Sequence, residues 1–334
     1  MRKYLGIILV FLLLGAPVWG QQRPQYSQYM INSYLLNPAI TGMEDYTDVK
    51  IGTRQQWIGL EGAPKTYHIS AHTPLNKAPK TVRSGGKGIT STRSVNQNRF
   101  VRAYAHHGVG IQVISDRTGP LRRTNANLTY AYHLPITRTI TMSLGASAGI
   151  LRNSINASEA TFTNPDPTIS SDYVNRNYFD VGLGTWIYAQ NFFVGFSGAQ
   201  LIRTNRDLNS SEENFTNNVL QKHFIGTVGY KFDVSREVTL IPSVLAKLNS
   251  PSPTTVDYNL RAVYADRIWA GVSYRSQDAF AFMTGVNISY IMDVSYSYDY
   301  NTSPLSVGNS GTHEVVLGLK LFNKGKVICP RWMH

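Results

Sequence analysis

The residues of this 334-residue chain that could do chemistry are few, and their spacing works against them. His68 and His72 share one face of an extended segment but stand four residues apart, about 13 Å at ~3.3 Å per residue. Zinc–nitrogen bonds span only about 2 Å, so the pair does not define one metal site, and histidines lining the inside of a fold are the ordinary reading. His106 and His107 are adjacent and point to opposite faces. Asp293 and Asp299, six residues apart along a strand, are too distant for a paired-carboxylate mechanism. Ser84-Gly85-Gly86-Lys87-Gly88 lacks the G-x-x-x-x-G-K-[ST] spacing and the strand-to-helix setting that aim backbone N–H groups at phosphate. It reads as a flexible linker. There is no G-x-S-x-G elbow. The single cysteine, Cys329, has no identifiable activating neighbour. No enzyme, metal or cofactor signal rises above background, so the question passes to the elements that carry these residues.

Those elements are strands. In Tyr290 to Tyr300 the residues Tyr290, Met292, Val294, Tyr296, Tyr298 and Tyr300 fall on one parity, and Asp293, Ser295, Ser297 and Asp299 on the other. Successive side chains of a strand point to opposite sides, so this stretch has one apolar, aromatic face and one polar face. The alternation recurs in 138–152, where Ile140, Met142, Leu144, Ala146, Ala148 and Ile150 oppose Thr141, Ser143, Gly145, Ser147 and Gly149. It recurs again in 254–264. Strands are expected at about 46–57, 65–73, 105–115, 122–134, 138–152, 177–189, 191–201, 219–232, 236–248, 254–264, 267–275, 279–290, 293–301 and 312–322. That is roughly fourteen, an even number joined in series, as in a membrane barrel. Pro242 inside one of them predicts a bulge.

The N-terminus supports export. Arg2 and Lys3 precede an apolar run from Leu5 to Leu14, and Val18 and Gly20 stand as small residues before Gln21. Residues 1–20 therefore read as a signal peptide and 21–45 as a periplasmic or lumenal lead-in. Residues 46–322 form an all-β, up-and-down antiparallel barrel, and 323–334 a C-terminal tail. Mean hydropathy is −0.20, and no later stretch approaches 18 unbroken apolar residues, which excludes helical spans but not a barrel. The formal charge of +12 falls to about +10 without Arg2 and Lys3. In an exported chain this points to anionic envelope surfaces or an acidic partner rather than nucleic acid. One cysteine leaves the fold to hold itself without disulfides.

Loop lengths give an independent test. Odd-numbered loops five, seven and thirteen are long, as outward loops are, and loops four, six, eight, ten and twelve are short. Loop two, about Pro74 to Tyr104, is the exception. It carries Lys77, Lys80, Arg83, Lys87, Arg93, Arg99 and Arg102 with no acid. It reads as a disordered basic insertion or as a docking segment for an acidic partner or anionic leaflet. At the outward end of the first strand, Lys50 and Arg54 would point inward, where charge can pair or gate a pore. Gln56 and Trp57 follow, with Trp57 expected in an aromatic girdle. All four are candidate lumen or partner contacts.

Certain residues also match a family. Tyr26-Ser27-Gln28-Tyr29, Leu36-Asn37-Pro38-Ala39-Ile40-Thr41-Gly42 and Arg54-Gln55-Gln56-Trp57 resemble the opening signature of the PorP/SprF family of the type IX secretion system of Bacteroidota. So do Gly108-Val109-Gly110-Ile111, Ser115-Asp116-Arg117-Thr118-Gly119-Pro120, Tyr130-Ala131-Tyr132-His133, Phe179-Asp180-Val181-Gly182-Leu183-Gly184 and Cys329-Pro330. The long basic loop two departs from the pattern. The resemblance implies an integral outer-membrane barrel, bathed in outer-membrane lipid, that works with type IX components in export or surface anchoring. Its cargo would be large proteins or adhesins bearing a C-terminal sorting domain, with gliding motility in some members. The alternatives are a general porin with an open, conducting lumen and a soluble β-sandwich.

Overall fold

The computed structural model describes residues 26–77, 105–156, 173–202, 222–249, 254–276, 278–302, 308–324 and 327–329. The proposed signal peptide, Lys80, Arg83, Lys87 and Arg93, and most of loops five and seven lie outside the described residues. Within them the chain closes into a 14-stranded antiparallel barrel. The strands are β1 (Thr47–Gln55), β2 (Lys65–Leu75), β3 (His106–Thr118), β4 (Leu121–Pro135), β5 (Thr141–Asn156), β6 (Tyr173–Tyr188), β7 (Phe192–Ala199) and β8 (His223–Tyr230, continued by Phe232–Asp233). They continue with β9 (Val238–Asn249), β10 (Thr255–Tyr264), β11 (Ile268–Arg275), β12 (Ala279–Asn287), β13 (Met292–Asn301) and β14 (Thr312–Leu321). Each pairs with its neighbours in sequence. The last returns to the first, with Thr47 opposite Leu321 and Gln55 opposite His313, so no strand edge is left unpaired. The rim where β1 starts and β14 ends is the near end, and the opposite rim the far end.

The alternation decides which face goes where. Leu128, Leu144, Leu183 and Phe282 stand exposed on the outer wall, while His133, Ser143, Asp257 and Ser297 on the opposite parity are buried inside. In Tyr290–Tyr300 the polar row Asp293, Ser295, Ser297 and Asp299 is buried and Tyr296 and Tyr300 are exposed. An apolar belt facing out and a polar interior is the arrangement lipid requires and water penalises. Tyr258, Tyr274, Phe280 and Tyr300 lie in one cross-strand row on the outer wall near the far end. They form an arc of an interfacial aromatic girdle.

Three expectations are corrected. Pro242 makes no bulge: Thr239 faces Asp233 and Ser243 faces Gly229, four residues apart on both strands, so no residue is inserted. The ladder only lapses for a step beside Pro242, which has no N–H to give, and the Lys231 N–H donates to the Asn191 carbonyl at 2.7 Å instead. Tyr290 belongs to no strand; it sits in the β12–β13 turn, where Ser289 Oγ accepts from the Ile291 and Met292 N–H groups at 3.1 and 3.2 Å. Trp57 lies past the end of β1 at φ 47°, in the left-handed region, so strand parity does not orient it. The β10–β11 hairpin turns on Ala265 and Asp266, both with positive φ, as a two-residue turn between twisted strands requires.

Candidate functional site

The lumen is occupied by the chain's own N-terminal segment. Tyr26 to Glu44 runs from the far end to the near end as three single turns of 3-10 helix, Gln28–Met30, Ser33–Leu35 and Pro38–Ile40, and then enters β1. Asn37 starts the third turn: its side chain accepts from the Ala39 N–H at 2.9 Å, and Pro38 at the first helical position has no donor to lose. Gly42, at φ 76°, ends it. A segment with so little internal hydrogen bonding must find partners in the wall or leave buried backbone unsatisfied.

Toward the near end the wall supplies them one by one. His72 Nδ1 accepts from the Gly42 N–H at 3.2 Å. His133 Nε2 and His106 Nε2 reach the Thr41 and Gly42 carbonyls at 2.8 and 3.1 Å. Ser143 Oγ donates to the Ala39 carbonyl at 2.5 Å, and Ser197 Oγ to that of Leu36 at 2.7 Å. The Asn37 amide donates to the Thr185 carbonyl of β6 at 3.0 Å. Backbone can come this close only where the wall has no side chain. A Cβ on Gly145 would sit 2.4 Å from Ala39 N, one on Gly184 2.1 Å from Asn37 Oδ1, and one on Gly108 2.0 Å from the Thr41 carbonyl oxygen.

Higher in the lumen the contacts divide by side. Tyr29, Met30, Ile31 and Leu35 pack on Ile225, Ile241, Leu245, Val263, Trp269 and Met283 of β8–β12, joined by Cys329 of the tail. The other side is polar: Asn32 donates to Ser70 Oγ at 3.0 Å and the Tyr34 hydroxyl meets Thr129 Oγ1 at 2.7 Å. On the apolar side the Tyr29 hydroxyl finds a partner in Asn259 Oδ1 of β10 at 2.9 Å. Toward the far end Arg54 binds Asp299 at 3.0 Å and Glu314 at 3.1 Å, and the Ser27 N–H donates to Glu314 at 2.8 Å. Ser27 Oγ bridges Arg54 and Asp299. Burying three charges is costly, and the geometry offsets that only because every charge has an opposite partner and the hydroxyl fills the gap.

The residues singled out from sequence are thus distributed. Arg54 and Lys50 are buried in the wall's inner face, Lys50 held by Asp48 at 3.0 Å. Gln56 follows β1, its N–H on the Pro64 carbonyl at 2.9 Å. Lys77 pairs with Asp45 at 2.9 Å and donates to the Met43 and Glu44 carbonyls, tying the near end of the plug to the start of loop two. His68 and His72 pack edge-on against Tyr26 and Tyr34. What the sequence left unassigned is the socket itself: His133, Ser143, Gly145 and Gly184. Glycines on inward-facing strand positions were its signal.

Chemically this arrangement closes a barrel. Among the described residues no group of three or more His, Cys, Asp or Glu could hold a metal ion. Two voids beside the plug hold about 20 and 10 Å³, room for a water or so each.

Several solved barrels share the general shape. The Acinetobacter baumannii outer membrane protein Omp33 is 9% identical, with a TM-score of 0.47 over 84% of this chain and 100% of that one. A Pseudomonas aeruginosa FadL homologue is 11% identical, at 0.48 over 90% and 94%. The Ralstonia pickettii toluene transporter TbuX is 10% identical, at 0.47 over 86% and 93%. At such scores none of these bears on function. No curated protein matches the chain. The family model of the type IX secretion system membrane protein PorP/SprF matches residues 18–319, from before the plug almost to the end of β14, and the chain belongs to that family.

Proposed function

We propose that this outer-membrane barrel is an anchor or accessory through which type IX components export large cargo or hold it at the cell surface, rather than a solute channel. The observation that carries the reading is the plug: a lumen filled by the chain's own N-terminal segment, held to the wall by hydrogen bonds at several levels, speaks against an open channel, whereas a braced barrel suits a mount. In this reading residues 1–20 are removed on export, the near end faces the periplasm and the far end the exterior. Lys50 and Arg54 act by holding the interior together. Gln56 and Trp57, in the far-end loop 56–64, are where a cargo protein with a C-terminal sorting domain makes contact. The stretch bearing Lys80, Arg83, Lys87 and Arg93 follows Lys77 in the sequence, and its charge suits an acidic partner.

Two measurements test it together. Detergent pull-down from the native envelope should recover large surface proteins or type IX components. In planar bilayers the purified barrel should not conduct, and a variant lacking residues 26–44 should. A barrel that purifies alone and conducts with its plug intact is a porin.

A further inference from the structure

The inner wall holds a second polar cluster on β3–β6, displaced toward the far end from the Asn37 socket. The register sets Gln112, Asn127, Gly149 and Asp180 in one row across four strands, with Asn125 one step nearer the far end. Gly149 has no side chain, so Asn127 lies over it: a Cβ there would sit 2.1 Å from Asn127 Oδ1. Asn127 thereby reaches across to Asp180, two strands away. Asp180 Oδ2 accepts from Asn125 Nδ2 at 2.6 Å and from Asn127 Nδ2 at 3.4 Å. Its Oδ1 accepts from the N–H of Gln200, just past the end of β7, at 3.2 Å.

The cluster lacks a positive charge. The buried carboxylates Asp48, Asp257, Asp293, Asp299 and Glu314 each have a Lys or Arg within 3.5 Å. Asp180, equally buried, has none among the described residues. It is held by amide N–H groups alone, and two of those amides pay with their oxygens. Asn125 Oδ1, Asn127 Oδ1 and the neighbouring Gln112 Oε1 are buried with no hydrogen-bond partner. Orphaned acceptors are costly, and a buried carboxylate without a counter-charge more so. One kind of ligand answers both, a cation that takes oxygen donors. An amide turned half a revolution keeps its shape and puts oxygen where its N–H group lay. Asn125 and Asn127 would then face Asp180 with oxygens at the present 2.6 and 3.4 Å from Oδ2. Oxygens sharing a Ca²⁺ at about 2.3–2.6 Å stand roughly 3 Å apart, which matches. The freed Asn127 N–H group turns toward Gln112 Oε1, directly opposite it in register. We infer that Asn125, Asn127 and Asp180 hold a calcium ion, with Gln112 orienting Asn127. Oxygen-only donors select a hard cation, and the uneven spacing suits Ca²⁺ better than Mg²⁺, which demands a regular octahedron. The site depends neither on the cargo role nor on which end faces outward.

Melting of the full-length barrel in detergent tests this, after EDTA treatment and removal of the chelator, at constant ionic strength. CaCl2 should raise the wild-type melting temperature by several degrees, with a midpoint of about 0.1–1 mM. MgCl2 or NaCl at the same ionic strength should not. Asp180→Asn keeps the shape of the side chain, removes its charge, and should abolish the rise. Asn127→Asp approaches the site from the other direction. It sets a second carboxylate beside Asp180, so without calcium the variant should melt below wild type. Its calcium midpoint should nevertheless fall about tenfold, because affinity follows ligand charge. A merely structural hydrogen bond between Asn127 and Asp180 predicts the first effect without the second. A calcium rise undiminished in Asp180→Asn, an equal rise with MgCl2 or NaCl, or an Asn127→Asp midpoint no lower than that of wild type would overturn the inference. Should Asp180→Asn fail to fold, the Asn127→Asp midpoint decides alone.

Discussion

His106 and His133 lie face to face inside the barrel, ring centroids 4.4 Å apart and planes within 1° of parallel, each meeting one of two consecutive plug carbonyls. A carbonyl only accepts, so both rings carry their proton on Nε2, which leaves His133 Nδ1 to accept from the Tyr188 hydroxyl at 3.2 Å. Replacing His133 by Ala leaves the Thr41 carbonyl without that donor and takes one partner from the Tyr188 hydroxyl. The expected cost is about 1–3 kcal/mol, read as a lower melting temperature in detergent, with plug residues becoming protease-sensitive before the strands.

The wall glycines separate plug seating from barrel formation. Gly145→Val and Gly184→Val place a side chain where Ala39 and Asn37 lie, yet leave the outer face of β5 and β6 intact. Both should assemble as barrels and conduct in planar bilayers. Gly226→Ala, where an added Cβ meets nothing within 4 Å, should behave as wild type.

Arg54 neutralises two buried carboxylates at once. Arg54→Ala should destabilise by about 3–5 kcal/mol, because Asp299 and Glu314 are left facing each other in the lumen. Adding Glu314→Gln to that variant should restore part of the loss, an antagonism that a double-mutant cycle in urea would measure.

Burial pushes the Cys329 thiol up to about 12, so the reactive thiolate is scarce at pH 8. Maleimide labelling of the folded barrel should be about a thousandfold slower than of the unfolded chain, and should quicken about tenfold per pH unit. The linkage has a definite sign: the unfolded thiol loses its proton first, so this group's contribution to stability is full below pH 9 and is lost as pH rises toward 12. Cys329→Ser should flatten that part of the stability profile.

The barrel was largely legible because lipid outside and polar groups inside write a period of two into every strand. Thus 138–152 was read as a strand and is β5, Thr141–Asn156. Boundaries moved where local chemistry took over, as when Ser289 claimed the turn and left Tyr290 outside β13. The plug was far less legible. Its polar groups are satisfied by wall residues remote in sequence, such as Asn37 by Thr185 and Ser27 by Glu314, so no periodicity survives to mark it. Asn37 and Gly42 are turn formers by residue type, but residue type alone does not show that the turn they make is a key whose lock is cut into β3, β5 and β6.

The seam between β1 and β14 also sets an order of assembly. Until β14 is in place the sheet is an open trough, and the segment just ahead of β1 can be laid into it from the side instead of being threaded through a finished ring. The last contacts that segment can make, Ser27 with Asp299 and Glu314, come from the last two strands. A chain missing those strands leaves Arg54 and Ser27 without their acids, so the two ends of the polypeptide certify each other at the moment the wall shuts.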